Sequence, residues 1–300
     1  MKVAIAGGTG FIGGHLTRYY TQRGTEVILI SRSSRESDDR LVSYVTWSEL
    51  EQDASMLEGA DAIINLAGES INQRWTAAAK ARILQSRLDS VQRVGRIVQR
   101  LERKPVLVNA SGMSVYGLSE TESFTEESPH RLDHFLAEVV EKWEAEVGRV
   151  PAARTVMLRV GVVLGNDGGA YPKMRLPFLF GAGGRIGSGR QWLSWIHVDD
   201  MVRLIDYCVS NRQMQGPVNA TAPEPVRSDS FGRSLAKAMG RPYLFPVPAF
   251  VMKLVFGEMS MLLLEGQRVL PQAALKDGFQ FTYPAIDEAL RHLVQTAKGG

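Results

Sequence analysis

Cysteine is almost missing from this chain: Cys208 is the only one, so no intrachain disulfide can form. It lies in the helical-looking stretch 201–209, where a small apolar residue is expected, and it reads as inert. Long hydrophobic runs are missing as well. The nearest candidate for a membrane span, residues 249–264, is interrupted by Lys253, Gly257, Glu258 and Ser260. A strong excess of one charge is also lacking, since the formal net charge is +3. Without a concentrated patch, that is too little to point to nucleic acid or an anionic membrane as a partner. A strand expected from residue 2 leaves no room for a leader peptide, so a soluble, cytoplasmic protein is expected. With 44% hydrophobic and 22% charged residues among 300, the chain can build a large core in one or two domains.

Glycine, by contrast, is concentrated where it matters. The apolar run Val3 to Ala6 opens onto Gly7-Gly8-Thr9-Gly10-Phe11-Ile12-Gly13. This spacing fits GxGxxG through Gly8, Gly10 and Gly13, and GxxGxxG through Gly7, Gly10 and Gly13. Residues 2–6 read as a strand, 11–23 as a helix with Gly24 as its stop, and 26–30 as a second strand. Such a βαβ unit of about thirty residues is the context in which a glycine turn binds a dinucleotide. Glycines let the phosphates approach the helix N-terminus, and Thr9, Phe11 and Ile12 share that turn.

The second strand ends in Ile30-Ser31-Arg32. An NAD site usually carries an acid about twenty residues past the glycines to hold the ribose 2′-hydroxyl. No acid is there. The hydroxyl of Ser31 and the guanidinium of Arg32 suit a 2′-phosphate instead, because Arg forks two hydrogen bonds onto phosphate oxygens. NADP(H) is therefore the expected cofactor.

Further along, residues 61–68 read as a buried strand whose exit, Leu66-Ala67-Gly68, is expected beside the cofactor. A helix over 76–101 carries Ile83, Leu84, Val91, Val94, Val98 and Leu101 on one face. Arg82, Arg93, Arg96, Arg100 and Arg103 line the opposite one, as a solvated helix face would. Arg87 falls among the apolar positions, which marks it for a cofactor phosphate or an internal carboxylate. Residues 105–110 form the next strand and end in Ser111-Gly112-Met113-Ser114-Val115-Tyr116-Gly117. An amphipathic helix over 132–147 and a strand over 155–160 follow. After a Gly- and Pro-rich stretch, 191–198 reads as a strand and Asp199 as the cap of a helix to about 209. The alternation predicts an α/β fold, a doubly wound parallel sheet over residues 1–165 with returns from about 190–222. Residues 166–300 are expected to form mainly a smaller C-terminal α/β substrate lobe.

The glycine loop, Asn65 to Gly68, Val115-Tyr116-Gly117 and Trp195 to Asp200 stand in the order found in extended short-chain dehydrogenase/reductases. More narrowly, the chain resembles their epimerase-like branch. It does so through Leu66 to Ser70, Ser86-Arg87, Phe135 to Glu144, Arg159 to Gly165, Gly187 to Asp200 and Leu270 to Pro284. That resemblance implies an NADP-binding Rossmann domain with Val162 also beside the cofactor, and a C-terminal substrate lobe. Active members use a Tyr-x-x-x-Lys pair, in which Lys lowers the phenol pKa so that Tyr can exchange a proton. The helix over 132–147 holds no tyrosine, and the serine place four residues before Tyr116 is Gly112. Ser111, Ser114, Lys173 and His197 are the remaining candidates for a catalytic role. No cluster suggests a metal.

Nucleotide-sugar enzymes of this superfamily commonly carry Arg-Asp-aromatic where this chain has Leu193-Ser194-Trp195. A leucine cannot pair with phosphate, so a small-molecule substrate other than a nucleotide sugar is expected. Trp192, Trp195, Phe178 and Phe180 suggest an apolar or aromatic one. The sequence thus points to an oxidoreductase of epimerase-like type, with a non-catalytic NADP(H)-binding sensor or scaffold as the competing reading. Paired long helices in this superfamily also make a homodimer an expectation.

Overall fold

The computed structural model describes residues 1–297. β1 (Lys2–Ala6) leads through α1 (Phe11–Thr21) to β2 (Glu26–Ser31), followed by β3 (Val42–Thr46) and α2 (Trp47–Gln52). β4 (Ala62–Asn65), α3 (Ala77–Arg100), β5 (Val106–Gly112) and α4 (Phe135–Val147) come next. Strands Arg154–Val160 and Gly216–Ala220 complete a seven-stranded sheet whose pairs are all parallel. From one edge the order is Gly216–Ala220, Arg154–Val160, β5, β4, β1, β2 and β3. The direction of winding reverses between β1 and β4, the crevice at which doubly wound sheets bind ligands.

The central strands are apolar on both faces because helices cover both: Val3, Ala4, Ile5 and Ala6 are 0% exposed. One core joins the sheet to α1 and α6 (Val198–Ser210) through Leu16, Tyr20, Met201 and Ile205. On the other face Val91, Val94 and Val98 of α3 meet Trp143 and Val147 of α4. A third core, around Tyr171, Trp195, Phe231 and Leu290, builds the C-terminal lobe. It draws on α5 (Tyr171–Leu179), α7 (Ser228–Met239) and helix Ile286–Thr296, while α8 (Ala249–Phe256) lies at its surface.

Several boundaries differ from expectation. α4 starts at Phe135 rather than at residue 132, because His134 caps it in extended conformation and Leu132 is left exposed. The expected strand over 191–198 is two short strands, Trp192–Leu193 and Trp195–His197. Ser194 separates them; its hydroxyl donates to the Gln267 carbonyl and accepts from the Val269 amide. The cap of α6 is His197, whose Nδ1 accepts the Asp199 amide, and not Asp199 itself.

The arginine stripe on α3 is not a free basic face. Arg93 and Arg96 reach Glu51 at 3.5 and 3.1 Å, and Arg100 donates to the carbonyls of Leu50, Glu51 and Gln52. Arg82 binds Glu69 and Arg103 binds Asp61. Three carboxylates and three backbone carbonyls thus engage these five guanidinium groups within the molecule. Cys208 is fully buried, and burial pushes its thiol up to about 12, so it stays protonated and unreactive. Among the described residues, no helix is long and apolar enough to cross a membrane.

Candidate functional site

The C-terminal ends of the parallel strands deliver Gly7, Ser31, Leu66 and Gly112 to one edge of the sheet. Two glycines of the first turn are there because nothing else fits. Gly7 has φ +78°, and a Cβ on it would lie 2.9 Å from the Leu66 carbonyl carbon. A Cβ on Gly13 would lie 2.4 Å from the Gly7 oxygen and 2.6 Å from the Gly8 Cα. The turn is closed by the Gly10 amide donating to Gly7 O at 3.0 Å. Gly10 caps α1 without a side chain, which leaves the first-turn amides of Phe11, Ile12 and Gly13 for an anion. Gly13→Ala is expected to abolish cofactor binding, because backbone, not a movable side chain, blocks the new methyl. Retained cofactor affinity in a titration of the folded variant would refute this role. Phe11 turns from the crevice to the Gly165–Gly169 stretch, where a Cβ on Gly168 would lie 2.5 Å from its ring.

The floor beside the turn is a buried polar network. Asn65 Nδ2 donates to Asn109 Oδ1 at 2.7 Å and to Ser90 Oγ at 3.2 Å. Asn65 Oδ1 accepts the Ala67 amide, and Ser90 donates to the Arg87 carbonyl. Leu66 and Ala67 are half-buried and Gly68 is exposed. Arg87 finds carbonyls rather than a carboxylate: Nη1 donates to Glu69 O at 3.1 Å and to Ile83 O at 2.9 Å. Its guanidinium lies 5.1 Å from the Trp143 ring, and burial lowers its pKa to about 10. Arg87 therefore pins the loop that follows β4. Ser31 donates to Ser33 O at 2.5 Å, Thr9 and Arg32 are exposed, and Val162 is held by its amide on Ser194 O.

The acid/base positions can be located from packing. A Cβ on Gly112 would lie 3.0 Å from Val140, so Val140 is the α4 residue facing the serine place. One helical turn earlier stands Leu136. These two buried aliphatic residues have the spacing of a Tyr-x-x-x-Lys pair, and neither can exchange a proton.

The candidate proton donors are mostly engaged elsewhere. Ser111 donates to Glu144 Oε1 at 2.5 Å, and Glu144 receives Arg159 through Nε at 2.9 Å and Nη2 at 2.7 Å. Arg159 also donates to the Tyr116 hydroxyl at 2.8 Å and to His130 Nε2 at 2.7 Å. Tyr116 in turn donates to Asn219 Oδ1, and burial pushes its pKa up to about 12 despite Arg159. Ser114 is half-buried at the β5 exit, and Lys173 is exposed on α5. Arg159 and Glu144 carry no assigned role in the sequence reading. Their signal was present, since Glu144 falls four residues after Val140 on the apolar face of α4.

His197 is 1% exposed, with the Tyr283 ring tilted against it at 4.0 Å. Because Nδ1 accepts the Asp199 amide, Nε2 carries the proton and donates to His292 Nδ1 at 3.1 Å. Donor atoms of His197, Asp199 and His292 lie within 4.8 Å of one another. With both imidazole nitrogens of His197 in use, the trio is a hydrogen-bond chain and not a cation cage. Burial, then His292 and His15, drive the pKa of His197 down to about 3. Unfolding frees it to titrate near 6.5. The neutral ring thus contributes stability above that pH, and the contribution is lost as pH falls towards the folded value. Asp199 and Asp200 face the same region. Melting temperature is expected to fall more steeply over this window in the native protein than in His197→Asn, which keeps a capping side chain. Parallel profiles would refute it.

Comparison with known proteins agrees with this geometry. Residues 3–220 match the NAD dependent epimerase/dehydratase family, and residues 247–293 match a domain of unknown function. Epimerase family protein YfhF of Bacillus subtilis is 44% identical, with 99% of each chain covered. Epimerase family protein SDR39U1 of Mus musculus is 39% identical over 98% of this chain and 100% of its own. The crystal structure of human SDR39U1 (isoform 2) with NADPH has a TM-score of 0.92 at 36% identity, covering 98% of this chain and 99% of that one. The UDP-glucose 4-epimerase of Thermus thermophilus in complex with NAD shares the fold, with a TM-score of 0.79 at 18% identity, covering all of both chains (100% and 100%). With relatives alike from end to end and the family pattern running through the whole sheet, the chain belongs to the NAD dependent epimerase/dehydratase family.

Proposed function

We propose that the protein is an NADP(H)-dependent oxidoreductase acting on a small carbonyl or alcohol. The observation that carries this reading is the crevice between β1 and β4, where a Cβ on Gly7 or Gly13 would collide with backbone and the α1 amides stand uncapped. Those amides would hold the pyrophosphate, Ser31 and Arg32 the 2′-phosphate, and Leu66 to Gly68 with Val162 the walls. The NADPH in the human SDR39U1 crystal structure supports the choice of cofactor. When bound, the cofactor supplies the hydride. This chain's own residues bind and orient it, and with the aliphatic Leu136 and Val140 on the helix face that would carry an acid, the proton that the carbonyl oxygen takes after hydride transfer comes from solvent water.

The test is a thermal-shift series with NADPH and NADH, followed by NADPH absorbance with a panel of carbonyl compounds. A ligand at a hundred times its Kd adds about 2.7 kcal/mol, so the preferred cofactor gives a clear rise in Tm. NADPH is expected to outperform NADH; equal shifts would refute the cofactor choice. The filled Tyr and Lys positions favour the second reading, a non-catalytic NADP(H) sensor or scaffold. It prevails if NADPH binds and no carbonyl compound consumes it.

A further inference from the structure

We infer that the substrate is an uncharged, apolar carbonyl compound, held in the cavity between Leu118 and the segment 253–265; this rests on the oxidoreductase reading above. The cavity has a volume of about 420 Å³, within the range of small-molecule sites. Leu118, Met261 and Leu264 give it apolar walls, and Lys253, Glu258 and Glu265 carry its charges.

Its position ties it to the end of β5. The Met113 carbonyl just past that strand accepts from Gln267 at 3.0 Å, and the Ser119 amide donates to Gly266 O at 3.1 Å. The segment before Gln267 therefore lies across the β5 exit. Met261 packs against the cluster of Trp75, Ile83, Leu136 and Val139. Leu136, on the α4 face towards the β5 exit, belongs to that cluster, so the Met261 wall of the cavity is joined to this face of α4 through it.

Charge selects the ligand. Glu258 receives the Lys80 ammonium at 2.6 Å, which leaves one charge of each sign on the lining, Lys253 and Glu265. No arginine lines the cavity. Arg190 of the glycine-rich loop is bound by Glu120 at 2.6 Å, and Leu193 pairs with Val226 in a short strand. A nucleoside diphosphate would bring its two negative charges to a single lysine among carboxylates. An uncharged apolar molecule meets no such opposition. The aromatic residues expected to receive it do not line this cavity: Trp195 and Phe178 are buried in the lobe core, Trp192 donates its indole N–H to the Glu120 carbonyl, and Phe180 is 79% exposed.

The experiment uses the full chain saturated with NADPH, with 2-decanone and UDP-glucose as probes and Tm as readout. 2-Decanone is expected to raise Tm by a few degrees and UDP-glucose at equal concentration to leave it unchanged. Leu264→Arg and Met261→Trp, one charging and one filling the cavity, should each remove the 2-decanone shift and keep the NADPH shift. The second variant serves if the first fails to fold. A UDP-glucose shift, or a 2-decanone shift surviving both variants, overturns the inference. So does a shift lost in Phe250→Ser, on the outer face of α8, and kept in Met261→Trp. Absence of any NADPH shift removes the cofactor reading and the inference with it. A 2-decanone shift lost in both cavity variants upholds the cavity even where NADPH is not oxidised, an outcome that overturns the redox reading alone.

Discussion

Arg32→Asp is expected to weaken NADPH binding by about ten- to hundredfold while NADH binding stays level or tightens. Hydrogen bonds to a charged group are worth about 1.5–3 kcal/mol, and each 1.4 kcal/mol is tenfold in affinity. The aspartate also repels the 2′-phosphate and offers an acceptor to the ribose hydroxyl that NADH carries there. Arg32 is exposed at the end of β2, so the unliganded variant should keep its stability to within about 0.5 kcal/mol. Fluorescence titration with both cofactors, beside Arg35→Asp as the neighbouring charge, gives the comparison. Equal losses for NADPH and NADH would mean that Arg32 acts on the pyrophosphate or on the loop, and the assignment would fall.

The largest effect on stability is expected from the ion pair beneath the site. Glu144 and Arg159 have side chains only 8% and 3% exposed and meet through two hydrogen bonds. Burial alone would lower the pKa of Arg159, but Glu144 and the Tyr116 oxygen hold it above its ordinary value, so it remains charged. Arg159→Met leaves a buried carboxylate facing only Ser111 and His130, and removing one partner of such a pair costs about 3–5 kcal/mol. At about 2–4 °C per kcal/mol, Tm should drop by roughly 6–20 °C. The double variant Glu144→Leu with Arg159→Met should recover much of that loss, because no buried charge remains. Denaturant melts of the single and double variants measure the coupling. Additive losses would show that the two side chains act independently. Since Arg159 stands on the strand beyond β5, two strands from the crevice between β1 and β4, NADPH affinity of the folded Arg159→Met protein should stay within a few fold.

Much of this molecule is legible in the chain because its sheet is parallel. Strands buried on both faces read as continuous apolar runs, and helices between them carry a 3.6-residue pattern, so Val3–Ala6, Ile63–Ile64 and the apolar face of α3 declare themselves. The errors lie where long-range hydrogen bonds decide. Ser194 breaks a strand because Gln267 and Val269, far along the chain, meet its hydroxyl. His197 displaces Asp199 as a cap because His292 fixes its ring. Arg87 invited a phosphate or carboxylate partner from its place among apolar residues, and it binds carbonyls instead. A buried arginine needs acceptors, and periodicity cannot say which ones.

By itself the sequence determined the doubly wound order, the glycine turn and the basic end of β2, since these depend on local spacing and on which residues lack a side chain. It also showed that the tyrosine is absent, and that Lys142 of the same helix has Glu138 in the place of a tyrosine four residues before it. Only the tertiary structure decided what stands in their place and where the remaining polar groups went. Ser111, Glu144, Arg159, Tyr116 and Asn219 come from elements spread over about a hundred residues, and a buried polar atom takes whichever partner the packing brings within reach. The same packing set the segment 253–265 across the end of β5 and opened the cavity between it and Leu118, which no reading of nearest neighbours in the chain contains.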